Sequence, residues 1–200
     1  MKSTVKVAGS DEVVKSCKKV CEIYHKVLEE LADGDMIREK EAEKSACFTG
    51  HRDLSESEKS LSERLYALLE KLVTENGITD FYAGGAVGFD TVAEKCVLRL
   101  REKFKQVKLH LVLPCSNEEQ TKHWTDDQKN EFYAILGAAD SVEYTSQHLF
   151  RGCMGVRNAK LVEHATSHCI CYHDQSRKSG TSQTIGFAKE KGLKVINLFK

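Results

Sequence analysis

The chain has 200 residues, 40% hydrophobic and 30% charged, with one proline and a formal net charge of +0. This is globular composition; it excludes a disordered or Pro-rich chain and leaves no global basic field for holding nucleic acid. The start, Met1-Lys2-Ser3-Thr4-Val5-Lys6, lacks the apolar stretch of a signal peptide, and no run reaches the ~18 apolar residues of a spanning helix. A cytoplasmic protein without a membrane partner is expected. The eight cysteines include no CxxC pair, so they read as reduced, buried thiols and not as a disulfide framework or a metal site.

In chain order, residues 11–32 carry Val13, Cys17, Val20, Cys21, Tyr24, Val27, Leu28 and Leu31 at helical spacing. Gly34 and a charged run follow, so residues 1–44 are expected to be a helical extension and residues 45–200 the main domain. There the pattern turns to short strands alternating with helices. Strands are expected at Ala46–Thr49, Phe81–Ala83, Val107–Leu113, Ser141–Tyr144, Cys169–Tyr172 and Leu193–Leu198. Ser55-x-x-Glu58 reads as a capping box that opens a helix stopped by Asn76-Gly77, and Thr125-x-x-Gln128 as a second. Helices are also expected from Phe89, over about 153–166, and from Gly180 to Gly192. Six strands alternating with helices define an α/β fold, a Rossmann-like three-layer sandwich with a mostly parallel sheet.

In such a sheet ligands bind beyond the carboxyl ends of the strands. Those positions hold Gly50-His51-Arg52, then Gly84-Gly85-Ala86-Val87-Gly88-Phe89-Asp90, then Asp174 and Ser179-Gly180-Thr181; Arg157-Asn158 lies on the helix before the fifth strand. Glycine turns running into helix N-termini suit a phosphate, with Arg52 and Arg157 adding charge-assisted bonds. Asp90 is either a helix-start residue or an acceptor for a ligand hydroxyl. Glu94 either closes a capping box with Thr91 or points into the cleft; these two acids are the candidate catalytic groups. Ala83-x-Gly85-x-x-Gly88 falls short of a dinucleotide fingerprint, and no acid follows the third strand, where Leu113-Pro114-Cys115 stands. His51 is a candidate ligand contact by its place at a strand end. Trp124 is expected to pack in the core.

As a set, Cys47-Phe48-Thr49-Gly50-His51-Arg52, Gly84-Gly85-Ala86-x-Gly88-x-Asp90-x-x-Ala93-Glu94, Leu113-Pro114-Cys115, Arg157-Asn158 and Gly180-Thr181 resemble the YpsA-like family of the SLOG (Smf/DprA and LOG) superfamily over about residues 45–200. The resemblance implies a Rossmann-like fold and a module that binds or senses a nucleotide-derived ligand, either ADP-ribose or NAD-like or a nucleoside phosphate. LOG-type members of that superfamily are phosphoribohydrolases and DprA-type members bind single-stranded DNA, which are the two alternatives. The Pro-Gly-Gly-x-Gly-Thr run and following acid of the LOG enzymes are replaced here by Lys178-Ser179-Gly180-Thr181-Ser182-Gln183-Thr184. A small nucleotide is thus the expected partner, nucleic acid is not favoured, and a homo-oligomer is left open.

Overall fold

A computed structural model describes residues 44–200, which lie in a compact unit spanning Glu43–Lys200. The helix expected over 11–32, with Cys17 and Cys21, lies outside the described residues. Six strands alternate with six helices: β1 (Lys44–Gly50), α1 (Glu58–Asn76), β2 (Ile78–Ala83), α2 (Phe89–Lys103), β3 (Lys108–Leu113), the short α3 (Asn117–Thr121), α4 (Asp126–Ala138), β4 (Ser141–Tyr144), α5 (Cys153–His164), β5 (His168–Tyr172), α6 (Gly180–Glu190) and β6 (Lys194–Asn197). All five strand pairings are parallel, in the order β4-β3-β2-β1-β5-β6. The Rossmann-like three-layer reading holds, with the described sheet parallel throughout.

The layers follow from the side-chain patterns. The central strands β1 and β5 are buried along nearly their whole length, as a sheet covered on both faces requires. On one face Phe48, Phe81 and Ile78 meet Leu61, Leu65 and Leu69 of α1, Val97 and Leu100 of α2, and Phe132 and Ile135 of α4. On the other, Cys47, Val112 and Cys169 meet Leu161 and Val162 of α5 and Ala188 of α6. Each fully buried Leu, Ile or Phe contributes roughly 1.5–3 kcal/mol by leaving water. The six described cysteines are buried and unpaired, as small hydrophobes. Trp124 packs edge-on to Phe132, with ring centroids 5.4 Å apart. No described helix is long and apolar enough to cross a membrane.

Local signals were mostly obeyed, with one shift. Thr125 and Gln128 form the expected capping box, and Gly77 ends α1 in the left-handed region at φ 67°. The cap of α1, however, is Ser57 and not Ser55: Ser57 accepts from the Ser60 amide. Ser55 instead bonds the buried Tyr172 hydroxyl at 2.6 Å, a tertiary partner that local spacing does not reveal. The sequence also gave no signal for α3.

Candidate functional site

From β1 the chain steps outward through β2, β3 and β4, then crosses back to place β5 on the other side of β1. The strand order therefore reverses between β1 and β5, and a crevice opens beyond their carboxyl ends. Gly50 is in register with Tyr172, so the loops after both strands start side by side. A cleft of about 390 Å³ lies there, lined by Phe48, Thr49, Gly50, His51, Arg52, Ala86, Asp90, Met154, Arg157, Asn158, Ser179, Gly180 and Thr181. Residues from both glycine turns and from the Arg157-Asn158 pair, far apart in the chain, thus converge.

The Gly84–Ala86 turn is held from behind. Glu94 is 1% exposed; its carboxyl accepts the Gly85 N–H at 2.9 Å, and the Gln120 amide donates to the Gly85 carbonyl. Asp90 accepts from the Ala86 and Gly84 amides. Glu94 therefore neither caps α2 with Thr91 nor lines the cleft: Thr91 donates its hydroxyl to the Ala86 carbonyl at 3.1 Å, and the cap of α2 is Gly88. The absent Cβ atoms explain the glycines. At Gly84 a Cβ would lie 1.2 Å from Arg157 Nη1, and at Gly88 (φ 89°) it would lie 2.2 Å from the Arg52 carbonyl oxygen. Gly84, Gly85 and Gly88 thus lie behind the cleft wall, packed against protein atoms, and their turn delivers Ala86 and Asp90 to the cleft.

Two buried acids sit beside one buried cation. Burial pushes the Asp90 carboxyl above its ordinary range, against the opposing pull of Arg157 and the turn amides. Burial pushes Glu94 well above its range, and the neighbouring Asp90 adds to the shift. Arg157, 8% exposed, reaches Asp90 Oδ2 at 3.4 Å, long for a charge-assisted bond. Its Nε is buried without a partner. A guanidinium presents five donors, and this one is incompletely paired in a residue that lines the cleft.

The opposite wall is the N-terminus of α6. The first amides of a helix have no intrahelical partner, and those of Gly180 and Thr181 open on the cleft beside Asn158, whose amide donates weakly to the Gly180 carbonyl at 3.4 Å. The Ser179 Oγ is buried and unpartnered at the same point. Arg52 is exposed at the mouth with no ion pair among the described residues. His51 is built into the wall: its Nε2 accepts the Asp174 amide at 2.9 Å and lies 3.4 Å from His173 Nδ1. Burial and the nearby His173 hold its pKa below the ordinary value, so the neutral ring carries its proton on Nδ1. Asp174 turns back to Ser176 and shapes the loop. Of the other lining residues, Phe48, Thr49 and Ser179 stand in the sequence only as parts of the quoted motifs, and Met154 in none of them. Met154 was findable, since it lies three residues before Arg157 and so shares its helix face.

A nucleotide-scale cleft at the switch point of a parallel sheet defines a Rossmann-like binding domain. The model of the YspA SLOG family (YpsA) matches residues 48–195, and the chain belongs to that family. It is 31% identical over 145 residues to the SPbeta prophage-derived protein YoqJ of Bacillus subtilis, covering 66% of this chain and 82% of YoqJ. It is 24% identical to the UPF0398 protein BH1768 of Halalkalibacterium halodurans, over 70% of this chain and 71% of that protein. Among solved structures, the X-ray structure of TM1055 is similar with a TM-score of 0.48 and 15% identity, over 76% of this chain and 72% of that one.

Proposed function

We propose that the cleft binds or senses a nucleotide-derived ligand through its phosphate, held between Arg157 and the N-terminus of α6. The observation that carries this reading is the buried Arg157 guanidinium, with an unpartnered Nε and a stretched contact to Asp90. An anion would complete its hydrogen bonds and at the same time meet the free amides of α6. Volume favours more than a bare phosphate: about 390 Å³ is pocket-sized, and the partly exposed Met154 offers apolar surface for a ribose or base. The ligand class is ADP-ribose or NAD-like, or a nucleoside phosphate.

Glycosidic hydrolysis has less support. It needs a carboxylate free to stabilise the sugar cation or activate water. Asp90, the one acid among the described residues lining the cleft, is engaged by two amides and Arg157, Glu94 faces Gly85, and Thr184 is fully buried and bonded to the Gly180 carbonyl. A single-stranded DNA site would call for a basic track along the strand, whereas the chain has a net charge of +0.

A thermal-shift panel with ADP-ribose, NAD, AMP and a short single-stranded oligonucleotide tests the reading. A ligand at a hundred times its Kd stabilises by ~2.7 kcal/mol, or about 5–10 °C in a domain of this size. The control is Gly180→Asp. A Cβ at Gly180 meets only the Asn158 amide, at 3.6 Å, and an acid in the first turn suits a helix. The variant should melt like the wild type yet lose the shift. A shift that survives in Gly180→Asp, or one given by the oligonucleotide alone, would refute the site as assigned.

A further inference from the structure

On the sheet face that carries α5 and α6, nearer the amino ends of β2, β3 and β4 and away from the cleft, three side chains line up across three strands. His110 of β3 is the register partner of Ser141, the first residue of β4, and its Nδ1 lies 2.7 Å from the Ser141 hydroxyl. Its Nε2 lies 2.8 Å from Oδ1 of Asp80 on β2. Asp80 is 4% exposed, and its other oxygen accepts the Thr79 hydroxyl at 2.6 Å. An ionised carboxylate only accepts, so the imidazole proton sits on Nε2 and leaves Nδ1 to take the proton of the serine. The ring plane is fixed by Tyr82, which stacks on His110 at 4.7 Å between centroids. Ser141 is exposed.

We propose that Ser141, His110 and Asp80 form a nucleophilic relay that takes an acyl group from small activated esters. It has the roles of a Ser-His-Asp triad with the two imidazole nitrogens exchanged. Ser141 Oγ bonds to the carbonyl carbon as the bond from that carbon to the leaving oxygen breaks. The hydroxyl proton passes to His110 Nδ1 and on to the leaving oxygen, giving an acyl-serine and a free alcohol. Water, deprotonated by the same nitrogen, then releases the acid and returns the proton to Ser141. The edge strand supplies an oxyanion donor: the Asp140 amide pairs with the Leu109 carbonyl at 2.8 Å, and alternation along the strand turns the Ser141 N–H to the open edge beside its own hydroxyl. Asp80 is a positioning residue, since it acts through His110.

The probe is p-nitrophenyl acetate added to the full chain, with release of p-nitrophenolate followed by absorbance and the acetyl group located by peptide mass spectrometry. The expected result is acetylation at Ser141, abolished in Ser141→Ala. In Asp80→Asn the amide donates to Nε2 and forces the proton onto Nδ1, so acetylation should slow by about a hundredfold or more. Side-chain ¹⁵N spectra should show that tautomer change while the melting temperature shows whether the fold is intact. Acetyl groups confined to lysines, or Ser141 acetylated equally fast in a folded Asp80→Asn, would overturn the relay. Neither outcome bears on the nucleotide cleft, because the two sites share no residue.

Discussion

Glu94 matters to the site through a single hydrogen bond to the Gly85 amide, made from complete burial. Its raised pKa gives the sign of a pH effect. A carboxyl that holds its proton more tightly folded than unfolded destabilises the fold as pH rises from the unfolded value, about 4.3, through the higher folded value. Asp90 acts in the same direction, whereas the lowered His51 pKa costs stability as pH falls below about 6.5. In Glu94→Gln the amide oxygen still accepts the Gly85 N–H and the titration is gone. Urea midpoints between pH 5 and pH 8.5 should therefore fall less steeply with pH than in the wild type, with no loss at neutral pH. Glu94→Ala leaves the Gly85 amide buried and unmet and should cost about 2–3 kcal/mol. Equal slopes for wild type and Glu94→Gln would show that Glu94 titrates as an exposed acid.

The elements were legible wherever a pattern is local. Alternating apolar strands, the Thr125 box and the Gly77 stop all appear at the places their spacing indicates. What was not legible needs a tertiary partner: Ser55 is drawn to Tyr172, so the cap passes to Ser57, and Glu94 is drawn to Gly85 across a helix start. The glycine turns show the same division. Gly88 joins β2 to α2 at φ 89° with the Arg52 carbonyl where a Cβ would be, whereas Gly186 inside α6 has open space around it. Gly88→Ala should therefore cost about 3 kcal/mol or more, and Gly186→Ala should gain about 0.5–1 kcal/mol. Urea denaturation of the two variants checks both signs. The turn sequence alone suggested amides facing a phosphate; the buried acids that occupy those amides become visible only when α2 is laid against it.

Over the whole domain, the reversal of strand order between β1 and β5 selects which loops meet. It brings Arg157 of α5 and the start of α6 to the ends of β1 and β2. The cleft lies at the strand ends, where the sequence reading looked for a site, but which of its walls is packed against buried acids was not readable, since both glycine turns look alike in sequence. The structure separates them: the Gly84–Ala86 amides are bonded to Asp90 and Glu94, while those opening α6 face the cleft beside an incompletely paired Arg157. The central claim is that an anionic nucleotide binds there. The most direct measurement is an NMR titration of the ¹⁵N-labelled protein with ADP-ribose and with AMP, following backbone amides and the Arg157 Nε–H together. The account predicts that the Arg157 Nε–H and the Gly180 and Thr181 amides move most, with the Gly85 amide nearly still. An Arg157 Nε–H unmoved by either nucleotide, or shifts centred on the Gly84–Ala86 turn, would contradict it.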